Sequence, residues 1–275
     1  MPRIAPYNAT RIMEKLSVFV TTFNNAKTLP ICLDSVRWAD EIVVLDSNST
    51  DPTPDIARAY GCQLFFHEFL GYGRQKQLAL DKTTHEWVLL LDADEALSPE
   101  LQEEIQALLK TTPSADGYDI PRLEQVFWRM CSPKTRLNHF LRLFRKSAGH
   151  VSTMPIHAAP KVDGKIGRLK HPFYHFGEID IRTKVEKING YSTGLVQDKV
   201  DKGVRRVGLT MIFYPPLYFI KTYIFKRNFY NGWAGFITSV IAAFYVFLKY
   251  AKVHEYHQDR SGLPVDLKKD DRGPC

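Results

Sequence analysis

Four cysteines stand in 275 residues, Cys32, Cys62, Cys131 and Cys275, and no two of them form a CxxC pair. That argues against a zinc ribbon and a disulfide framework; scattered, reduced thiols suit a cytosolic compartment. Neither GxGxxG nor GxxxxGK(S/T) occurs, so the dinucleotide fingerprint and the Walker phosphate loop are both missing. The first fifteen residues lack the apolar run of a secretory leader. Residues 1–13 show no periodic pattern and read as an extension ahead of the fold. No internal repeat is evident. Acids are scarce in one place: from Lys199 to Arg227 seven Lys or Arg face Asp201 alone. The net charge of +7 is therefore concentrated beside the apolar C-terminal region. That placement suits anionic lipid head groups better than nucleic acid, a solvated basic face being the plainer alternative.

Against these absences stands one stretch, Glu86–Glu95 (EWVLLLDADE). Five apolar residues, Trp87 to Leu91, read as a strand buried on both faces, running into Asp92-Ala93-Asp94. Buried parallel strands place functional groups at their carboxyl ends, where a crevice opens. Two carboxylates one residue apart offer hard oxygen ligands to Mg²⁺ or Mn²⁺, and a cation there would neutralise a diphosphate. Taken alone, the pair is equally a turn ahead of the helix that Ser98-Pro99-Glu100 begins.

The neighbouring segments weigh on that choice. Strands are expected at Leu16–Thr21, Glu41–Leu45 and Gln63–Phe66, with helices at Leu29–Trp38, Pro54–Tyr60 and Gly71–Asp81. Such alternation predicts an α/β fold with a parallel sheet over residues 14–112. Three strand ends then converge: Thr21-Thr22-Phe23-Asn24, Asp46 through Asp51, and Asp92-Ala93-Asp94. Hydroxyls and a ring at the first suit a base and a ribose. A carboxylate at the second suits a base N–H, and the third suits a metal. Lys76, behind Gly71 and Gly73, reaches a phosphate as a compact charge. Asp46 and Asp51 are as often loop caps as ligands.

Beyond Pro113 the alternation stops. Gly117–Leu123, His139–Arg145 and Lys165–Lys170 read as strands of an acceptor-side region, residues 113–200, and Ile181–Gln197 reads as a helix. Arg142, Arg145 and Lys146 either meet an anionic acceptor or alternate on a solvated strand. Residues 201–255 read as basic and apolar membrane-associating helices, followed by a polar tail, residues 256–275. Asn228–Leu248 is an uncharged run of 21 residues, at about 1.5 Å each just long enough to cross a hydrocarbon core. A spanning hairpin would carry Lys226 and Arg227 to the far side, against the positive-inside tendency. Interfacial attachment fits the charges better. A single span and a soluble helical pair remain the alternatives.

The order VFVTTFNN, VVLDSNSTD, GYGRQKQLAL, LLLDADE resembles the nucleotide-sugar half of family 2 glycosyltransferases, which have the GT-A fold. LRLFRK, His157 and HFGEIDIRTKVEKINGYST resemble the branch that glycosylates the lipopolysaccharide inner core, typified by heptose β-1,4-glucosyltransferases. The resemblance covers roughly residues 14–255. It implies a Rossmann-like, mainly parallel sheet and a nucleotide-diphosphate donor. By position, Thr21, Thr22, Phe23, Asn24 and Asp46 would line the uracil and ribose pocket. Lys76 would sit near the diphosphate. Asp92 would contact the ribose or a metal-bound water, and Asp94 would ligate Mg²⁺ or Mn²⁺. His175 would join the metal shell or close over the diphosphate; the alternative is a histidine packed at a strand end.

The chain departs from the family pattern twice, with Asn138 where an Asp is common and Ala158 where His-Glu is common. An inverting transfer needs a base near the acceptor hydroxyl. His157, Glu178, Asp180 and Glu124 remain for that role, and His157 titrates in the right range unaided. The expectation is an inverting, metal-dependent hexosyltransferase at the cytoplasmic face of the bacterial inner membrane. It would move a sugar, glucose foremost, from a UDP-sugar to a lipid-anchored or lipid-linked glycan, with no nucleic-acid partner. Transfer to a polyprenyl phosphate or a capsule intermediate is the alternative within the same chemistry. From other classes stand a catalytically silent membrane scaffold and a sugar nucleotidyltransferase. The latter normally wants a Gly-rich basic loop where this chain has TTFNNAK.

Overall fold

A computed structural model describes residues 14–152, 159–177, 180–205 and 207–258. The chain divides into two units. One holds the described residues through Gln125 together with Leu137–Gly177; the other holds Val126–Arg136 and the described residues after Gly177.

The first unit begins as the alternation predicts: β1 (Leu16–Thr22), α1 (Leu29–Asp34), β2 (Glu41–Asp46), α2 (Thr53–Ala59), β3 (Gln63–Phe66), α3 (Tyr72–Asp81) and β4 (Trp87–Asp92). Then come β5 (Glu95–Leu97), α4 (Pro99–Leu109) and β6 (Gly117–Val126); the short β7 (Arg129–Met130) that follows belongs to the second unit. β8 (Asn138–Arg145), β9 (Gly149–Val151), β10 (Pro160–Val162), β11 (Ile166–Arg168) and β12 (Phe173–His175) complete the strands. The main sheet runs β3-β2-β1-β4-β8-β6-β12-β5. β3, β2, β1 and β4 are parallel; β8 turns antiparallel between β4 and β6.

Side-chain alternation sorts the central strands onto two cores. Val18, Val20, Leu89 and Leu91 face Leu29, Leu33, Leu101 and Ile105 of α1 and α4. Phe19, Val88 and Leu90 face Ala79 and Leu80 of α3. Both faces are thus covered, which is why Trp87–Leu91 is a continuous apolar run. α4 starts where Ser98 accepts from Leu101 N (3.1 Å), with Pro99 in its first turn. α1 stops at Asp34 rather than continuing to Trp38; residues 35–38 turn, and Ser35 Oγ donates to Cys32 O (2.7 Å).

Register sets the functional edge. Thr22 lies opposite Asp46 and Thr21 opposite Asp92, so three strand ends share one level. Farther along the sheet, His175 lies opposite Glu124 on β6 and Glu95 on β5.

The second unit is helical: α5 (Ile181–Gly194), α6 (Val196–Asp201), α7 (Gly208–Ile220) and α8 (Gly232–Gln258). The helix expected over Ile181–Gln197 is divided at Leu195 into α5 and α6. α7 keeps Pro215 and Pro216 in its interior and continues as a wide turn, Lys221–Phe225. A tight turn, Asn228–Asn231, then leads into α8. Gly235 is required there, because a Cβ would come 1.9 Å from Asn228 O.

Candidate active site

The first two strand ends are joined by a loop network. Asn24, in the left-handed region (φ 53°), donates its backbone N–H to Ser49 Oγ (2.8 Å) and accepts from Thr50 N (2.8 Å). Asp46 is wholly buried and accepts from Ser49 N (2.7 Å) and Ser49 Oγ (2.6 Å) on its two oxygens. Asp51 accepts from Ala26 N (3.1 Å) and Thr53 N (3.0 Å). Asp46 and Asp51 thereby tie the loops together. Phe23 is left projecting, more than half exposed. Thr22 is buried and its hydroxyl donates to Asn25 Oδ1 (3.2 Å), while Thr21 is half-buried at the level of Asp92.

At the third strand end charge accumulates. Lys76 Nζ lies 2.6 Å from Asp92 Oδ1, and Arg142 Nη2 lies 3.5 Å from Asp92 Oδ2 and 2.6 Å from Glu95 Oε1. Lys76 is 8% exposed, Arg142 5%, and Glu95 not at all. Glu95 also accepts the Asp92 backbone N–H (3.0 Å) and stands 3.9 Å from Arg122. Burial opposes ionisation of Asp92, but Lys76 and Arg142 outweigh it and hold this carboxyl well below the usual carboxylate range. Glu95 moves the other way: burial raises it, Arg142 opposes the rise, and the charge on Asp92 adds to it.

Beside this cluster, His175 Nδ1 meets Glu124 Oε2 at 2.5 Å, and Nε2 lies 3.5 Å from Asp94 Oδ2. Arg122 grips the other Glu124 oxygen (Nη2–Oε1 2.6 Å) and covers the Phe140 ring at 4.1 Å. Burial works against a charged His175, yet Asp94 and Glu124 raise it to about 10. A carboxylate on one imidazole nitrogen, with the other turned to an Asp, is the arrangement that orients a metal-ligating histidine. Asp94 and His175 would offer one oxygen and one nitrogen to a divalent cation, with the rest of its shell to come from outside the protein. Asp92 does not fit as a third ligand, since Lys76 and Arg142 already occupy it. Among the described residues no group of three His, Cys, Asp or Glu gathers as a metal site.

Asp92, Asp94, Lys76 and His175 are brought together; Thr21 and Thr22 lie along the same edge. His157 and Glu178 fall outside the described residues. Asp180 caps α5, accepting from Thr183 N (2.7 Å) and Thr183 Oγ1 (3.1 Å). Arg142 matches neither sequence reading: it is neither on a solvated face nor free for an acceptor. Lys146 reaches back to Thr83 O (2.5 Å), and Arg145 covers the Trp87 ring at 4.8 Å. Glu95 and Arg122 were missed. Their signal was faint, a glutamate one residue past Asp-Ala-Asp and an arginine alternating with Glu124 on a strand.

Comparison with known proteins gives these residues a context. Residues 17–159 match the family described as Glycosyl transferase family 2. The lipopolysaccharide core biosynthesis glycosyltransferase LpsC of Rhizobium meliloti is 29% identical over 259 residues, covering 91% of this chain and 96% of that protein. An uncharacterized glycosyltransferase of Rickettsia prowazekii, RP128, is 33% identical over 261 residues, covering 88% of each. Among solved structures, S. aureus TarS 1-349 in complex with UDP-GlcNAc is 18% identical with a TM-score of 0.46, covering 89% of this chain and 91% of that one.

Proposed function

The chain belongs to glycosyl transferase family 2, an enzyme that transfers sugar on a GT-A fold, and from that premise we propose that it moves a hexose, glucose foremost, from a UDP-sugar to a membrane-linked glycan of the lipopolysaccharide inner-core type. Support for the acceptor class comes from the likeness to LpsC, which extends over nearly the whole of that protein. Support for the donor comes from the strand-end cluster, where buried cations and carboxylates share one edge with a projecting aromatic ring.

Thr21, Thr22, Phe23 and Asn24 take the uracil and ribose in this reading, with Asp46 holding the loop that carries Ser49. Lys76, on the first turns of α3, is divided between Asp92 and the donor diphosphate. Arg142 fixes Asp92 from the far side and is itself fixed by Glu95. Asp94 and His175 would hold Mg²⁺ or Mn²⁺, and that cation would supply positive charge against the negative charge of a departing UDP. A base removes the acceptor hydroxyl proton as that oxygen attacks the anomeric carbon from the side opposite UDP, so the configuration inverts. His157 is assigned the base by its titration range. The enzyme works at the cytoplasmic face of the inner membrane, held by the helices of residues 201–255.

Binding of UDP-glucose, UDP-galactose, UDP-N-acetylglucosamine and GDP-mannose, with Mn²⁺ and then with chelator, tests the donor half. Uridine-selective binding that weakens on chelation is expected. Binding of none, or binding indifferent to metal, returns Asp94 and His175 to a structural role and favours a silent scaffold.

A further inference from the structure

In the second unit the usual disposition of side chains is reversed. Along α7, Leu209, Ile212, Phe213, Leu217 and Ile220 are all exposed, Leu209 to 72%. Their spacing of three and four residues puts them on one stripe of the helix. α8 carries a matching stripe, Trp233, Phe236, Val240, Phe244 and Phe247, with Trp233 75% exposed. The helices pack together, and between them lies an apolar groove of about 370 Å³ to which Met211, Pro216 and Phe219 contribute from α7 and Val240, Phe244 and Phe247 from α8. Groove and stripes therefore form one apolar face. A face of this extent marks an interaction site on a soluble protein or a membrane contact.

The charges select the partner. Between Asp201 and Glu255 the chain has no acid, while Lys202, Arg205, Arg206, Lys221, Lys226, Arg227, Lys249 and Lys252 are all cationic. Three of these, Lys221, Lys226 and Arg227, flank the turn between the helices, beside the exposed rings of Phe225, Phe229 and Tyr230. Cations and aromatic rings bordering an apolar surface are what an anionic lipid leaflet accommodates at its head-group level.

Helix length admits a crossing; connectivity opposes it. Asn228–Gln258 is long and apolar enough to span by composition. Yet the exposed apolar stripe of α8 runs only from Trp233 to Phe247, about 22 Å at 1.5 Å per residue against a hydrocarbon core of about 30 Å. Past it, Lys252 Nζ is bonded to Asn189 Oδ1 (2.7 Å), Ser192 Oγ (2.9 Å) and Thr193 Oγ1 (2.7 Å) of α5. The turn is tied as well. Asn231 accepts from Ser132 N (2.7 Å) and donates to Thr135 Oγ1 (3.1 Å), and Arg136 N donates to Lys226 O (3.1 Å). Arg136 stands two residues before β8 begins. Two residues of chain are far too few to cross a bilayer.

We propose that the α7–α8 face is a non-spanning anchor that lies in the plane of an anionic leaflet, with a lipid hydrocarbon chain seated in the groove between the helices. The inference rests on the reading of a membrane-linked acceptor for its purpose, and it is tested separately from that reading.

Full-length protein is floated with phosphatidylcholine vesicles that contain or lack phosphatidylglycerol. Flotation with the anionic vesicles is expected, weakened by high salt. Lys226→Gln with Arg227→Gln should lower the apparent affinity about thirtyfold, from about 1 kcal/mol for each cation removed. Leu217→Glu, at an exposed position, should abolish flotation with the circular dichroism of the native chain retained. A cysteine introduced at Ile212 should be shielded from a water-soluble reagent by anionic vesicles, and one at Lys226 should be labelled from the outside of sealed vesicles. Labelling at position 226 only from the inside means a span and overturns the proposal. So does equal flotation on neutral and anionic vesicles, or a lipid-free dimer broken by Leu217→Glu with no vesicle binding by the parent. Hydrolysis of UDP-glucose by the same preparations separates the two readings. Hydrolysis without flotation sinks the anchor alone, and flotation without donor binding sinks the donor assignment alone.

Discussion

The two ends of the central sheet each bury a carboxylate, and they satisfy it by different means. At the amino end Glu41 accepts from Ser17 Oγ, Thr84 N (2.8 Å), Thr84 Oγ1 (3.1 Å) and Gln63 Nε2 (3.0 Å). Those donors are neutral and come from β1, β3 and the turn before β4, so one side chain fastens three neighbouring segments. At the carboxyl end Asp92 and Glu95 are met by Lys76, Arg142 and Arg122. Neutral donors leave a single negative charge fixed in place. Cations on long side chains leave a field that, in the proposed function, the donor diphosphate would share, because Lys76 keeps a flexible stem and three donors. The amino end is a fastening; in the proposed function the carboxyl end is a site that exchanges partners.

The sharpest way to break that contrast is Arg142→Ala. It strands Glu95 in the interior and leaves Asp92 with Lys76 alone, at an expected cost of about 3–5 kcal/mol in urea unfolding. Arg142→Met combined with Glu95→Leu should recover much of the loss, because an apolar pair of similar volume carries no unpaired charge. Equal destabilisation by the single and double variants would show that packing, and not charge, dominates there. Asp94→Ala comes next. Its carboxylate is partly exposed and paired only at 3.5 Å, so the fold should hold while donor turnover falls about 10²–10³-fold. A parallel loss of urea stability would make Asp94 a fastening like Glu41.

Much of the first unit was legible in the sequence. Leu16–Thr21, Glu41–Leu45 and Trp87–Leu91 are apolar enough to be buried on both faces, and that alone predicts a covered parallel sheet. The convergence of Asp46, Asp92 and Thr21 followed from strand ends. What could not be read was pairing at a distance. Nothing local says that Arg142 leaves the alternation of its strand to meet Glu95, 47 residues away, or that β12 sets His175 between Glu95 and Glu124. The continuous apolar spacing of Ile181–Gln197 reads as one helix; only Gly194, the last residue of α5, marks the division at Leu195. The apolar character of α7 and α8 was plain, whereas the bonds from Ser132, Thr135 and Arg136 that tie their turn come from a segment about a hundred residues earlier.

A smaller effect tests the amino end. Glu41→Gln exchanges an acceptor for a group that also presents N–H toward Thr84 and Gln63, at an expected cost of about 1–3 kcal/mol at pH 7. Burial works to raise the Glu41 carboxyl, but bonds from Ser17 and Thr84 prevail and hold it below its ordinary value. A depressed folded value means that its contribution is full above the unfolded pKa and disappears as pH falls through the folded one. Parent and variant should therefore converge in acid and differ most at neutral pH, as read from urea midpoints across that range. A constant gap would mean that the donors around Glu41 do not depend on its charge.

The finest distinction between the two ends can be read from two native thiols. Cys62 leads into β3 at the amino end, and burial raises its thiol to about 11. Cys32, on α1, is fully buried near the carboxyl end, with its sulfur 3.7 Å from Asp92 O. Burial raises it first, and the charges of Glu95, Asp92 and Asp94 raise it further. In a Cys131→Ser, Cys275→Ser background, native labelling at pH 8 should run about a hundredfold slower at Cys62 than at an ordinary exposed thiol, and slower still at Cys32. Arg142→Ala should then accelerate Cys32 selectively, since opening the charge cluster uncovers its sulfur while leaving the amino end closed. Equal acceleration of both thiols would mean that the sheet loosens as a whole, and that its two ends are one cooperative unit despite their different chemistry.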